Sequence, residues 1–231
     1  MLISLPFVYF KEIARKIINT LLVKMRYAIC KDMIYLGRNR NLYVNIGDYV
    51  RISSLELVAY NINENNIEGC VAELGVYKGD FAQHINILFP DRKLYLFDTF
   101  EGFDARDVMV DVKNKYSAGT QNFSGTSIEL VLNKMRYPKN CLIKKGYFPE
   151  TTKDIEERFV FVSIDADLLE PIYQGLKYFY PRLQKGGCIF VHDFNNMEYA
   201  GAKAAVKKYS MELNIPYFPL SDICGSVVFI K

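Results

Sequence analysis

The sequence lacks any closely spaced pair of cysteines. Its five, Cys30, Cys70, Cys141, Cys188 and Cys224, are scattered, and several sit in apolar runs as buried thiols do. Neither a zinc site nor a disulfide framework is expected, and the usage fits a reducing, cytoplasmic setting. Strong charge of either sign is also missing, since 29 Lys and Arg against 26 Asp and Glu leave a net +3. The basic residues are interleaved with acids, so nucleic acid is not an expected partner. No apolar run is long enough to cross a bilayer, and stable membrane insertion is not expected. Residues 1–10 are apolar but contain Pro6, with no basic region ahead and no small-residue cleavage site behind, so they do not read as a signal peptide. Internal repeats and low-complexity linkers are absent, and the lack of tryptophan says little.

What is present is an alternation. Half of the 231 residues are hydrophobic, enough for a full core. From residue 69 onward, short apolar runs at 70–74, 94–98, 141–144, 159–165, 188–192 and 226–230 alternate with helical periodicity at 79–88, 126–136, 169–183 and 199–213. Runs apolar on both faces and separated by helix-length stretches predict a doubly wound, mostly parallel α/β sheet covered on both sides. A turn around Gly225 predicts an antiparallel C-terminal strand. Upstream, residues 7–36 have helical spacing, and Ser53 or Ser54 is the expected cap of a helix over 55–63. The expected division is an N-terminal helical appendage over 1–50 and an enzymatic domain over 51–231. The appendage is expected to contact another subunit, with an anionic membrane under its basic face as the alternative.

Ligands of such sheets bind beyond the carboxyl ends of the strands. Those ends carry Glu73-Leu74-Gly75, Asp98-Thr99-Phe100, Gly146-Tyr147-Phe148, Asp165-Ala166-Asp167 and His192-Asp193-Phe194. Gly75 and Gly79 stand between the first strand and a helix, in G-x-x-x-G spacing, which is not the G-x-G-x-x-G of dinucleotide sites. Glu73 would repel a phosphate but suits a cationic ligand, and S-adenosylmethionine carries a sulfonium and an amino group. Asp98 ends the next strand about twenty residues on, placed to accept ribose hydroxyls. In FSGTS, Ser124 or Thr126 either caps a helix, with Glu129 completing the box, or touches adenine.

The segments VAELGVYKGDFA, LYLFDTFEGF, FSGTS, KGYFPET, FVSIDADLLEP and GGCIFVHDF resemble, in order and spacing, the macrocin O-methyltransferase family over about residues 51–210. The resemblance implies a Rossmann-like seven-stranded fold, S-adenosyl-L-methionine as cofactor, methylation of a small sugar or glycoside hydroxyl, and a homo-oligomer. Cofactor contacts are then expected from Glu73, Gly75, Val76, Tyr77, Gly79, Asp98, Thr99, Ser124, Gly146, Tyr147 and Asp165.

Methylating an alcohol needs a base, or a metal that stabilises the developing alkoxide, beside the methyl group. Asp165 and Asp193, as hard oxygen donors, suit one Mg²⁺. The resemblance likewise implies Asp165 and Asp193 as metal ligands and Asp167 as general base. His192 stands where some members have an acid, and imidazole suits Mn²⁺ better than Mg²⁺. Three readings follow: a metal with His192 as nitrogen ligand, a two-carboxylate Mg²⁺ site completed by water, or no metal with His192 as a second catalytic base. A divalent metal held by Asp165, His192 and Asp193 is the expectation. Asp167 has a rival role as cap of the following helix. His84 is expected to be structural. Residues 103–127 form a long polar connection, expected to be a flap over the acceptor that contributes from Asp107, Tyr116 and Gln121, while Tyr147 and Phe148 wall the cofactor pocket. Two rivals remain: a nicotinamide-dependent sugar oxidoreductase, which would want a three-glycine fingerprint, and a non-catalytic S-adenosylmethionine-binding protein, indifferent to Asp167.

Overall fold

The computed structural model describes residues 48–231 together with positions 10, 13–18, 20 and 22, which are helical. The remainder of the helix expected over 7–36 lies outside the described residues. The chain divides into two units, Met1–Tyr43 and Val44–Lys231.

The second unit opens on helix α1 (Tyr49–Glu64), capped by Asp48, whose carboxylate accepts the Arg51 amide at 3.2 Å. The helix therefore starts six residues before the expected position, and Ser53 lies inside it, its hydroxyl donating to the Val50 carbonyl. Arg51, Ile52, Leu55, Ala59 and Ile62 are buried along one face. Strand β1 (Cys70–Leu74), helix α2 (Ala82–Leu88) and strand β2 (Leu94–Asp98) follow. Next come α3 (Ala105–Lys113), α4 (Ile128–Lys134), β3 (Cys141–Lys145), β4 (Phe159–Ile164), α5 (Leu169–Arg182) and β5 (Leu183–Val191). The chain ends with α6 (Ala200–Leu213), β6 (Phe218–Pro219) and β7 (Val227–Ile230).

The seven strands lie in the order β3-β2-β1-β4-β5-β7-β6. The first five are parallel, and β7 runs antiparallel to both β5 and β6. This is the expected mostly parallel sheet with an antiparallel C-terminal strand. Strands β1 and β4 are buried throughout, whereas edge strand β3 is not. Because successive side chains point to opposite faces, the sheet carries two apolar layers. Ala72, Leu74, Phe97, Val162, Ile164, Ile189 and Val191 form one core with Ile172, Leu176, Ala202 and Val206 of α5 and α6. On the other parity Phe161 packs against Phe89 and Phe190, with ring centroids 6.1 and 5.2 Å apart.

Three local expectations are corrected. Strand β5 begins at Leu183, five residues early, because Gln184-Lys185-Gly186-Gly187 hides its start from an apolar pattern. Helix α4 is capped by Ser127, whose hydroxyl accepts the Leu130 amide at 3.1 Å, rather than by Ser124 or Thr126. The connection after Phe103 is not wholly irregular: it holds α3, capped by Asp104. That helix is tied down at its far end. Asp111 accepts the Leu169 amide at 3.0 Å, and the Tyr116 carbonyl accepts the Ala200 amide at 2.9 Å.

Candidate active site at the strand tips

The carboxyl ends of β1, β2, β4 and β5 open into a cavity of about 420 Å³. That size suits a small-molecule site. Its lining includes Gly75, Tyr77, Asp98, Thr99, Gly146, Tyr147, Asp165, Asp167, His192 and Asp193 from the expected set. Phe148, Asp107 and Gln121 also line it.

The β1–β2 side is built from backbone. Gly75 has φ +84°, and a methyl group there would overlap the Asp165 carbonyl oxygen, so the turn can pass only as glycine. Asp98 ties this turn to its own loop. One carboxylate oxygen accepts the Val76 and Tyr77 amides at 2.7 and 2.8 Å, and the other accepts the Phe100 amide at 2.6 Å. The Thr126 hydroxyl donates to the Tyr77 carbonyl, holding the turn from outside. A carboxylate has about four acceptor sites, so Asp98 retains capacity for a ligand hydroxyl.

Four expected cofactor residues do not line the cavity. Glu73 is 1% exposed beneath it. Burial, then the Asp165 charge, push its carboxyl well above the usual range despite Arg51. One of its oxygens has no hydrogen-bond partner. Alternation explains this placement: Glu73 is a penultimate strand residue, and it faces into the layer rather than out of the tip. Val76 donates its amide to Asp98, and its carbonyl accepts the Gly79 amide at 2.8 Å. Gly79 (φ +77°) is needed for close packing, since a methyl there would press on Val131 at 3.1 Å. Ser124 is exposed, its amide donating to the Asn122 side chain at 2.8 Å.

The β4–β5 side is built from charge. His192 Nδ1 lies 3.1 Å from one Asp165 oxygen and 2.9 Å from an Asp193 oxygen. The second Asp165 oxygen accepts from Arg51 Nη1 at 2.9 Å, and Arg51 Nη2 donates to the Ser163 hydroxyl at 3.1 Å. Burial opposes charge on Asp165, yet Arg51 and then His192 hold it well below the usual carboxylate range. Burial likewise works against a charged His192, but the Asp165 and Asp193 carboxylates raise it to about 10. Asp167 moves the other way: burial, then Asp165 and Asp193, push its carboxyl well above the ordinary value. Asp167 (φ +57°) and Asp193 (φ +60°) both adopt the left-handed conformation that aspartate tolerates better than most residues.

The helix after Asp167 takes no side-chain cap from it, because Asp111 of α3 satisfies the Leu169 amide instead. The Asp167 carboxyl is thereby left to the cavity. His84 is buried, with Nδ1 unpartnered.

The three residues expected to hold a divalent metal do meet, but their arrangement does not fit Mg²⁺. That ion demands oxygens at about 2.0–2.1 Å in near-octahedral geometry. Here an imidazole nitrogen lies between the two carboxylates, and Arg51 occupies the remaining Asp165 oxygen. Two other donor groupings include His192, one with Asp193 and Cys224, the other with Asp48 and Asp222. Burial pushes the Cys224 thiol up to about 11, far from a thiolate. Asp48 caps α1, and Asp222 accepts from the Ser226 amide and hydroxyl.

Of the expected flap residues, Asp107 sits in α3, where its carboxylate accepts the Tyr147 hydroxyl at 3.0 Å. Gln121 donates to Glu198 at 2.8 Å across the cavity mouth. Tyr116 lines a neighbouring hollow instead. Sequence reading missed Arg51 and Tyr199. Arg51 left a signal, an arginine on the apolar stripe of α1. Tyr199 lines the cavity with a buried hydroxyl that has no partner, beside Phe103 at 6.0 Å between ring centroids.

Comparison with known proteins gives the following. The chain matches the family described as macrocin-O-methyltransferase (TylF) over residues 35–231. No match is found among curated proteins. The O-methyltransferase NovP aligns with a TM-score of 0.64 at 21% identity, covering 78% of this chain and 79% of its own. CalS11, a calicheamicin methyltransferase, aligns with a TM-score of 0.65 at 19% identity, covering 92% of this chain and 90% of its own. An apo structure of CalS11, described as a TDP-rhamnose 3'-O-methyltransferase, aligns with a TM-score of 0.57 at 16% identity, covering 92% of each chain. At these identities the structural likeness speaks for the fold. Among the described residues, no helix is long and apolar enough to cross a membrane.

Proposed function

Because the chain belongs to the macrocin O-methyltransferase family and is an O-methyltransferase, we propose that it methylates a sugar hydroxyl, with Asp167 as general base. The acceptor class is a nucleotide sugar or a glycoside of a natural-product or glycan precursor. The description of CalS11 as a TDP-rhamnose 3'-O-methyltransferase supports that class. The observation that carries the role of Asp167 is that Asp111 takes over its capping duty, so its carboxyl faces the cavity rather than a helix end.

S-adenosylmethionine supplies an electrophilic methyl group on a sulfonium. The fit of this cofactor rests on the Gly75 turn, which lets a ligand approach the backbone, and on Asp98, which has acceptor capacity left for ribose hydroxyls. Thr99, Gly146 and Tyr147 wall the same side. Asp165 borders the cofactor and acceptor ends together, held in place by Arg51 and His192. With the donor bound, its methyl–sulfur bond would break as the acceptor oxygen takes the methyl, leaving S-adenosylhomocysteine, and the Asp167 carboxylate would take the hydroxyl proton. A carboxyl raised above its ordinary value is a stronger base than a solvated one. Glu73 has no contact in this scheme.

The divalent ion implied by the resemblance is given no step, because the donors around Asp165 do not fit it. We assign the reaction to residues 51–231 and a homo-oligomer contact to 1–50; light scattering of the full chain and of a chain lacking 1–50 tests the latter. The decisive test of the activity is transfer of labelled methyl from S-adenosylmethionine onto a panel of nucleotide sugars and glycosides. Labelled product from a sugar hydroxyl is expected. Transfer to catechols alone, with every sugar inert, rejects the acceptor class.

A further inference from the structure

Methyl transfer through Asp167 makes no use of Arg51, yet this residue is placed with care. It comes from α1, 114 positions before its partner Asp165. Its side chain is 7% exposed. The guanidinium carbon lies 3.9 Å from the Phe81 ring centroid, a cation–π contact. A buried arginine cannot shed its proton, so wherever it sits it brings a permanent positive charge.

On the opposite side of Asp165, His192 Nδ1 engages one oxygen of Asp165 and one of Asp193, and among the described residues no set of donor atoms within 4.8 Å of one another joins all three. An ion bound to both Asp165 and Asp193 would sit about 2.1 Å from an oxygen of each. The imidazole Nδ1 already stands between those oxygens, at 3.1 and 2.9 Å. With Arg51 on the second oxygen of Asp165, each oxygen of that carboxylate already has a nitrogen partner. Admitting an ion would require His192 to swing away. It would also set a second positive charge beside a guanidinium that cannot retreat into water.

We propose that Arg51 and His192 together take the place of a divalent cation, so that this chain orders its strand-tip carboxylates and transfers methyl without a metal. The inference deepens the sugar O-methyltransferase reading and rests on it for the consequence in turnover. Its structural half stands apart: the site rejects Mg²⁺ and Mn²⁺ because Arg51 and the His192 Nδ1–H, present in the imidazolium and in the Nδ1–H tautomer alike, donate to the oxygens.

The test uses the full chain, stripped with a chelator and titrated with Mn²⁺ by electron paramagnetic resonance, alongside the folded variant His192→Asp. The wild type is expected to bind no Mn²⁺ tighter than about millimolar. The variant, with an oxygen donor in place of the nitrogen, is expected to bind about tenfold tighter or better, the scale on which a change around a metal alters its affinity. Methyl transfer by the wild type is expected to be unchanged in chelator. Stoichiometric micromolar binding of Mn²⁺ by the wild type overturns the proposal on its own, without any variant. So does equal affinity in wild type and folded variant, or turnover abolished by chelator and restored by Mg²⁺. A chain that methylates no sugar at all refutes the function instead, and leaves the Mn²⁺ titration readable.

Discussion

The two ends of the cavity solve the same problem, holding a small molecule over strand tips, by different means. The β1–β2 end uses backbone: a glycine turn, three amides and one carboxylate that gathers them. The β4–β5 end uses side-chain charge, with Arg51, Asp165, His192 and Asp193 in one chain of contacts. A backbone-built site is local in sequence, spanning Gly75 to Phe100. A charge-built site draws on residues from 51 to 193, and its properties belong to the network rather than to any member.

If the division is real, substitutions should separate cofactor binding from turnover and stability. The largest effect is expected from Arg51→Met, which leaves Asp165 facing His192 alone across a buried gap. Removing one partner of a buried pair costs about 3–5 kcal/mol, so chemical denaturation should show a loss of that order. Asp167→Asn should lower kcat by about a hundredfold, the usual scale for a general base. Its affinity for S-adenosylhomocysteine, measured by calorimetry, should stay within a factor of about two of wild type. Unchanged kcat would remove Asp167 from the chemistry. The reverse pattern is expected at the other end: Asp98→Ala should weaken S-adenosylhomocysteine about tenfold or more, losing a charged acceptor and the tie between two loops. Equal loss of affinity from Asp98→Ala and Asp167→Asn would erase the contrast.

The smallest effect concerns Asp107, whose carboxyl burial raises from 3.8 to about 6 against the opposing hydrogen bond from Tyr147. Between those values the folded protein binds more protons than the unfolded chain. Its contribution to stability is therefore full below pH 4 and is lost as pH rises through 6. In Asp107→Asn that contribution is absent, so the difference in Tm between wild type and variant should shift in favour of the variant from pH 4 to pH 7. A constant difference would show that Asp107 titrates normally.

These contrasts also explain what the sequence made legible. The alternation of apolar runs and helical stretches sufficed for the sheet, because parallel strands buried on both faces announce themselves, and the turn around Gly225 for its antiparallel last strand. Asp165, Asp167, His192 and Asp193 were visible because each ends a strand. The burial of Glu73 was not legible, since proximity to a strand end does not reveal which face a side chain takes. The start of β5 was hidden by polar and glycine residues at a register shift against β4. Arg51 was legible only as an anomaly on an apolar stripe. Nothing in its neighbourhood names Asp165, and that contact exists only because α1 packs beside the sheet.

The anchoring of α3 reaches further than the correction of a loop boundary. Asp111 serves the first turn of α5, and the Tyr116 carbonyl serves that of α6. Lifting residues 105–116 away from the cavity would therefore unseat the beginnings of two helices at once. The segment from Ser117 to Phe123 that follows holds no helix or strand, and its Gln121, which lines the cavity, is joined to Glu198 by a side-chain hydrogen bond at 2.8 Å.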